Sequence, residues 1–397
     1  MNHRQIFLQN IAQTSDFPLA LEIEKAEGIY LYGKNGERYM DLISGIGVSN
    51  VGHRHPNVVN AIKSQVDKYM HLMVYGEYIQ QPQVMLADAI TMTLVNFQTT
   101  SGLTLDNVYF TNSGAEAVEG AMKLAKRYTG RTGIVACHSS YHGSTQGALS
   151  LGDEHFKRNF RPLLPSIIKI HRNQLIDLEK ITANTAAVFF EPVGGESGIR
   201  PANHIYLKQL RKRCDEVGAL LVFDEVQSGF GRTGTFWAFE QYDVVPDILL
   251  CAKGMGGGMP IGAFIAPKLI MSVFKENPIL GHITTFGGHP VSCAASFATL
   301  NTILEENLTR DVEEKANLFK KLLLHPKIKE VRNKGLMMAV EFEDFDTLKP
   351  IIDKAMSKGV ITDWFLYCDN SMRIAPPLII TEEEIRQACK VILASID

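Results

Sequence analysis

Two short apolar runs of this chain each stop on a charged residue. Leu221-Val222-Phe223 ends at Asp224-Glu225, and Leu249-Leu250-Cys251-Ala252 ends at Lys253. A run of that length between turn residues suits a strand buried on both faces of a parallel sheet. In open α/β sheets ligands sit beyond the carboxyl ends of the strands, so Asp224 and Lys253 would face one crevice. A carboxylate and an amine buried at one site are costly unless each has a partner or a task. Pyridoxal phosphate would give both a task. The amine forms a Schiff base with its aldehyde, and the carboxylate keeps the pyridine nitrogen protonated so that the ring takes up electrons.

Other stretches offer chemistry that is less specific alone. Ser113-Gly114-Ala115-Glu116 stands between a strand pattern and an amphipathic helix, and Ser113-x-x-Glu116 is a capping box. The same free N–H groups, with small residues beside them, also make a cup for a phosphate dianion. Tyr141-His142-Gly143-Ser144 puts an aromatic residue where it can stack on a flat ring or simply pack. Glu191 and Glu196 bracket a glycine-rich loop, as paired acid-base carboxylates or as solvated side chains. Arg373 is the lone cation of an apolar strand pattern, a bidentate carboxylate clamp or an edge-strand charge. The glycines after Lys253 fit neither the dinucleotide nor the Walker pattern. His53 and His55, without an acid or thiol partner nearby, read as structural rather than metal-binding.

The elements that must position these groups alternate. Strand-like runs at 107–110, 133–136, 186–190, 219–223, 248–252 and 263–266 are separated by helical patterns near 114–129, 203–217 and 236–242. That alternation predicts a mainly parallel, doubly wound sheet. Before it, strand-like runs flank Asn35-Gly36 as a hairpin, and a helix is expected near 56–71. After it, the pattern predicts a long helix near 290–323, a strand at 335–341, a helix near 346–358, strands near 360–366 and 371–375, and a last helix capped by Thr381. The 397 residues, 45% apolar and 21% charged with net charge −3, describe a globular chain and give no basis for nucleic-acid or membrane-surface binding. No run reaches membrane-span length, no signal-peptide core opens the chain, and the six cysteines form no close pair, so a cytoplasmic enzyme with reduced thiols is expected.

In order along the chain, Gly52-His-Arg-His-Pro56, Asn112-Ser-Gly-Ala-Glu-Ala117, Tyr141-His-Gly143, Glu191-Pro-Val-Gly-Gly-Glu196, Phe223-Asp-Glu-Val-Gln227, Ala252-Lys-Gly254 and Thr284-Thr-Phe-Gly-Gly-His-Pro290 resemble the class III pyridoxal-phosphate aminotransferases. This is the acetylornithine, ornithine and 4-aminobutyrate transaminase group. The resemblance implies the fold-type-I architecture, with a seven-stranded sheet in a large domain (46–285) and a smaller α+β domain made of 1–45 and 286–397. It makes Lys253 the Schiff-base lysine and proton shuttle, and Asp224 the partner of the ring nitrogen. Gln227 would bond the ring oxygen, Val226 and Tyr141 would sandwich the ring, and His142 and Glu191 join the cofactor site. Ser113, Gly114 and Ala115 would hold the phosphate, with Thr285 reaching it from the neighbouring subunit of a homodimer. Arg373 would bind the carboxylate of glutamate or 2-oxoglutarate and turn to Glu196 when the other substrate has none. Ser144 departs from the pattern, because those three enzymes usually carry arginine there to grip a second carboxylate.

The expected function is therefore ping-pong amino transfer from an amino acid or amine to a 2-oxo acid. A decarboxylase, racemase or aminomutase of the same fold is the alternative, and a nucleotide-dependent oxidoreductase is opposed by the missing fingerprint.

Overall fold

The computed structural model describes residues 2–397. Seven strands, numbered here in chain order, make the large sheet: β1 (Asn107–Thr111), β2 (Gly133–Cys137), β3 (Ile167–Ile170), β4 (Thr185–Phe190), β5 (Leu220–Asp224), β6 (Ile248–Cys251) and β7 (Gly262–Ala266). Their spatial order is β1-β7-β6-β5-β4-β2-β3. All pairings are parallel except those of β7, which runs antiparallel to both β6 and β1. The reversed strand follows Lys253 through a glycine-rich turn too short for a crossover helix, so an antiparallel return is the available connection.

Both faces of the sheet are buried, and successive residues of each strand go to opposite cores. Val222, Leu250 and Phe264 join the core beneath helix Gly114–Thr129. Leu221, Phe223, Leu249 and Ile265 join the core on the other face, with helix His204–Val217. This is why the strands read as continuous apolar runs rather than alternating ones. Helix Gly114–Thr129 lies close on the sheet because Gly120 faces the Phe264 ring, with no room for a β-carbon.

The hairpin around Asn35-Gly36 forms from Tyr30–Gly33 and Arg38–Asp41, with Gly36 at φ +87°. Its second strand is parallel to Val360–Ile361, and Ile29, Met40 and Leu42 enter a core with Leu336, Ile351, Ile374 and Ile392. The stretch expected as one strand near 360–366 serves two sheets. Val360–Ile361 joins the hairpin, and Asp363–Phe365 pairs with Cys368–Ile374. The long helix expected near 290–323 is two helices, Pro290–Glu305 and Val312–Leu322, broken where Asn307 takes φ +51°. Pro290–Glu305 packs on Pro56–Val66 and Gln81–Met92, giving Cys293, Leu300 and Ile303 to the large core.

Among the described residues no helix is long and apolar enough to cross a membrane, and no three His, Cys, Asp or Glu side chains converge to hold a metal ion. Asp41 Oδ2 accepts from His53 Nε2 at 2.8 Å, and His55 pairs with Glu306 at 3.4 Å.

Gly120→Ala should push the helix off Phe264 and cost about 1–3 kcal/mol of stability. A lower urea midpoint at unchanged slope is the expected reading.

Candidate active site

The carboxyl ends of five parallel strands open into one cavity of about 760 Å³, within the size range of small-molecule sites. β5 delivers Asp224, β6 leads into Lys253, β4 into Glu191, β2 into Tyr141 and His142, and β1 into Ser113. Residues scattered over some 140 positions of sequence meet here because each follows its strand by only a few residues.

Asp224 is held from two sides. Its Oδ2 lies 2.7 Å from Nδ1 of the buried His142, and its Oδ1 accepts the Val226 N–H at 3.0 Å. Each oxygen keeps a lone pair for a further donor. Lys253 sits at φ +45°, a left-handed conformation that costs about 1–3 kcal/mol in a non-glycine residue and collects at functional sites. Among the described residues its amine makes no hydrogen bond or ion pair. Burial, with Arg373 adding to it and Glu196 opposing, holds that amine below the usual lysine range. It is therefore closer to the neutral form that a nucleophile and base requires.

Glu191 is buried, and burial pushes its carboxyl up to about 7. One of its oxygens accepts from Gly195 N–H at 3.1 Å, while the other makes no hydrogen bond and lies 4.0 Å from Arg172 Nη2. Glu196 and Arg373 form a two-pronged buried pair at 2.8 and 2.9 Å. Glu196 also accepts from Leu366 N–H at 3.2 Å and Gln227 Nε2 at 3.4 Å. Glu196 and Gln227 line the cavity, whereas Arg373 lies behind Glu196.

Ser113 caps helix Gly114–Thr129 by accepting from Glu116 N–H at 3.2 Å. The first-turn N–H groups of Gly114 and Ala115 have no intrahelical acceptor and border the cavity. A β-carbon on Gly114 would come within 2.9 Å of Val226, and one on Gly143 within 2.6 Å of Ala115. Those glycines therefore keep a narrow cleft open between the helix end, Val226 and the Tyr141 loop. Ser144 lines the cavity and its hydroxyl is 3.0 Å from that of Tyr141.

Of the residues assigned to the site from the sequence, Arg373 and Thr285 stay off the cavity surface, and all the others line it. Thr285 is exposed, while its neighbour Thr284 bonds Asn112 at 3.0 Å. Val48, Met259, Pro260 and Ile261, which give the cavity its apolar wall, carry no distinguishing signal in the sequence. Nor does the fully buried Arg232, which ties Asn50 (2.5 Å) to the Pro376 carbonyl and fixes the C-terminal segment beside the crevice. Burial pulls that guanidinium down to about 9.

An unpaired half-buried amine, an anchored acid, orphaned first-turn N–H groups and a slot between Val226 and an aromatic ring fit the aldehyde, ring nitrogen, phosphate and flat ring of pyridoxal phosphate. The site and sheet define a pyridoxal-phosphate-dependent enzyme of fold type I. Residues 11–396 match the aminotransferase class-III family, and the chain belongs to it as a pyridoxal-phosphate-dependent aminotransferase. The acetylornithine aminotransferase of Methanopyrus kandleri is 40% identical over 94% of this chain and 93% of its own. A [LysW]-aminoadipate semialdehyde/glutamate semialdehyde transaminase of Sulfurisphaera tokodaii is 35% identical over 93% of this chain and 92% of its own. The ornithine aminotransferase of Toxoplasma gondii, whose active site holds pyridoxal phosphate at partial occupancy, superposes with TM-score 0.90 at 30% identity, covering 99% of this chain and 92% of that one.

A carboxyl raised in the folded state stabilises fully below its unfolded value, about 4.5 here, and that stability is lost as pH rises through about 7. Glu191→Gln, which keeps the oxygen facing Gly195, should flatten this decline. Thermal melts of the holoenzyme at about pH 5.5 and about pH 8 should show the variant gaining on the wild type at the higher pH.

Proposed function

We propose that this aminotransferase runs a ping-pong transfer from an amino donor of the acetylornithine, ornithine or 4-aminobutyrate type, or a related amine, to a 2-oxo acid such as 2-oxoglutarate. The observation carrying this reading is the unpaired, half-buried amine of Lys253 sharing one cavity with the anchored carboxylate of Asp224. The names of the relatives support the donor class.

When bound, pyridoxal phosphate supplies an aldehyde that condenses with amines and a pyridinium ring that accepts an electron pair from the adjoining carbon. The phosphate falls to Ser113, Gly114 and Ala115, and the ring nitrogen to Asp224, which His142 orients. Val226 and Tyr141 bracket the ring, and Gln227 bonds its oxygen, with Glu191 completing the wall. Lys253 Nζ takes the proton from the substrate carbon that carries the nitrogen and returns it on the far side of the exchange. Arg373 grips the carboxylate of the 2-oxo acid, and Glu196 takes Arg373 back when the other substrate offers none. A charge-assisted pair of this kind is worth about 1.5–3 kcal/mol, enough to select a substrate without trapping it.

Thr285 closes the phosphate site from a second copy, so the working form is a homodimer. The assigned units are 46–285 for the cofactor and 1–45 with 286–397 for the smaller domain, with helix Pro290–Glu305 leaning on the first. Six unpaired cysteines support a cytoplasmic location.

Lys253→Ala should lower turnover by about 10²–10⁴-fold or more and abolish the donor-induced change in cofactor absorbance. Turnover within tenfold of wild type contradicts the role of Lys253. A donor-by-donor absorbance screen without oxo acid identifies the substrate, and Ser144→Arg should improve donors bearing a second carboxylate by about tenfold. No gain for those donors means that Ser144 does not face the donor's far end.

A further inference from the structure

Strands Asp363–Phe365 and Cys368–Ile374 pair antiparallel, and their register sets Asp363 directly opposite Arg373. Opposed residues put their side chains on one face within reach of each other. Asp363 Oδ1 accepts from Arg373 Nε at 2.9 Å, and the Trp364 carbonyl accepts from Nη2 at 3.1 Å. The guanidinium also lies over the Phe365 ring, 4.6 Å from its centroid. One three-residue strand thus holds the guanidinium by an edge, an amino group and a face. The outer edge, Nη1 and Nη2, carries Glu196. Because Glu196 borders the cavity and Arg373 lies behind it, a substrate carboxylate meets Arg373 only where Glu196 now sits.

We propose that Asp363 is a positioning residue for substrate carboxylate recognition: by pinning the Nε edge of Arg373, it keeps the Nη1–Nη2 edge aimed at the cavity while Glu196 leaves and a carboxylate replaces it. This rests on the reading of Arg373 as the carboxylate grip. A planar fork binds two oxygens only when both N–H groups point at them. An arginine free to rotate about its last torsions would lose that alignment each time Glu196 departed. Asp363 lies ten residues before Arg373 on the same hairpin, so its hold does not depend on the loop that carries Glu196.

Glutarate titrated into the holoenzyme by calorimetry reads carboxylate binding without turnover. Asp363→Ala should raise the glutarate Kd about tenfold and the KM for 2-oxoglutarate similarly. Its kcat and its half-reaction with a carboxylate-free amine donor should stay within about twofold of wild type. Asp363→Asn keeps an oxygen for Arg373 Nε and should bind glutarate within about threefold of wild type. The proposal is overturned if Asp363→Ala leaves the Kd unchanged, if both half-reactions fall together, or if Asp363→Asn binds as poorly as alanine, since charge balance would then be the contribution. Should the alanine variant not fold, Asp363→Ser, too short to reach Arg373 Nε, takes its place and should raise the Kd about tenfold, an unchanged Kd there overturning the proposal. Arg373→Lys separates the two readings. Unchanged glutarate binding there removes the carboxylate grip itself, whereas weakened binding there beside normal binding in Asp363→Ala removes only the part given to Asp363.

Discussion

Desolvating several ionisable groups in one crevice is the constraint to which the rest of this structure answers. Lys253, Asp224, Glu191 and Glu196 share a cavity whose floor is the end of a sheet buried on both faces. Each charge withdrawn from water costs several kcal/mol unless neighbours replace the lost solvation. The replacements differ by group. Asp224 has His142 and a backbone N–H, Glu196 has Arg373, and Glu191 takes up a proton more readily than an exposed acid. Lys253 has no such direct partner, and burial holds its amine below the usual lysine range.

The backbone serves the same end. Parallel strands deliver their carboxyl ends to one side, and the single reversed strand β7 follows Lys253 at once. That reversal lets the lysine turn stay short and tight, anchored beside Asn50 and the buried Arg232. The helix that offers its N-terminus to the site is set down on β7 through Gly120 and Phe264. The first turn of that helix and the lysine amine are thereby fixed to adjacent strands of one sheet.

Much of this was legible in the amino-acid sequence because it rests on local rules. Apolar runs ending in Asp224 and Lys253, the cap at Ser113 and the turn at Asn35-Gly36 each follow from a few neighbouring residues. What stayed hidden depends on register or on distant packing. Asp363 could be placed opposite Arg373 only by knowing how two short strands align. Arg232 reads as an ordinary surface cation until Asn50 and Pro376 close around it. The break at Asn307 carries a weak signal, since asparagine tolerates the left-handed conformation but does not demand it. Thr285 is a different case, because nothing within its own chain meets it at the cavity.

The pairing of Arg38–Asp41 with Val360–Ile361 has a bearing on how the chain comes into being. During synthesis the amino-terminal hairpin leaves the ribosome long before the segment that completes its sheet has been translated. Met40 and Leu42 must wait in water, or in the keeping of a chaperone, for Leu336, Ile374 and Ile392 to arrive. The crevice-bearing sheet needs nothing from so far downstream and is free to assemble first. The small unit is thus completed only after the sheet that bears the crevice has been translated, so at the amino terminus assembly order departs from birth order.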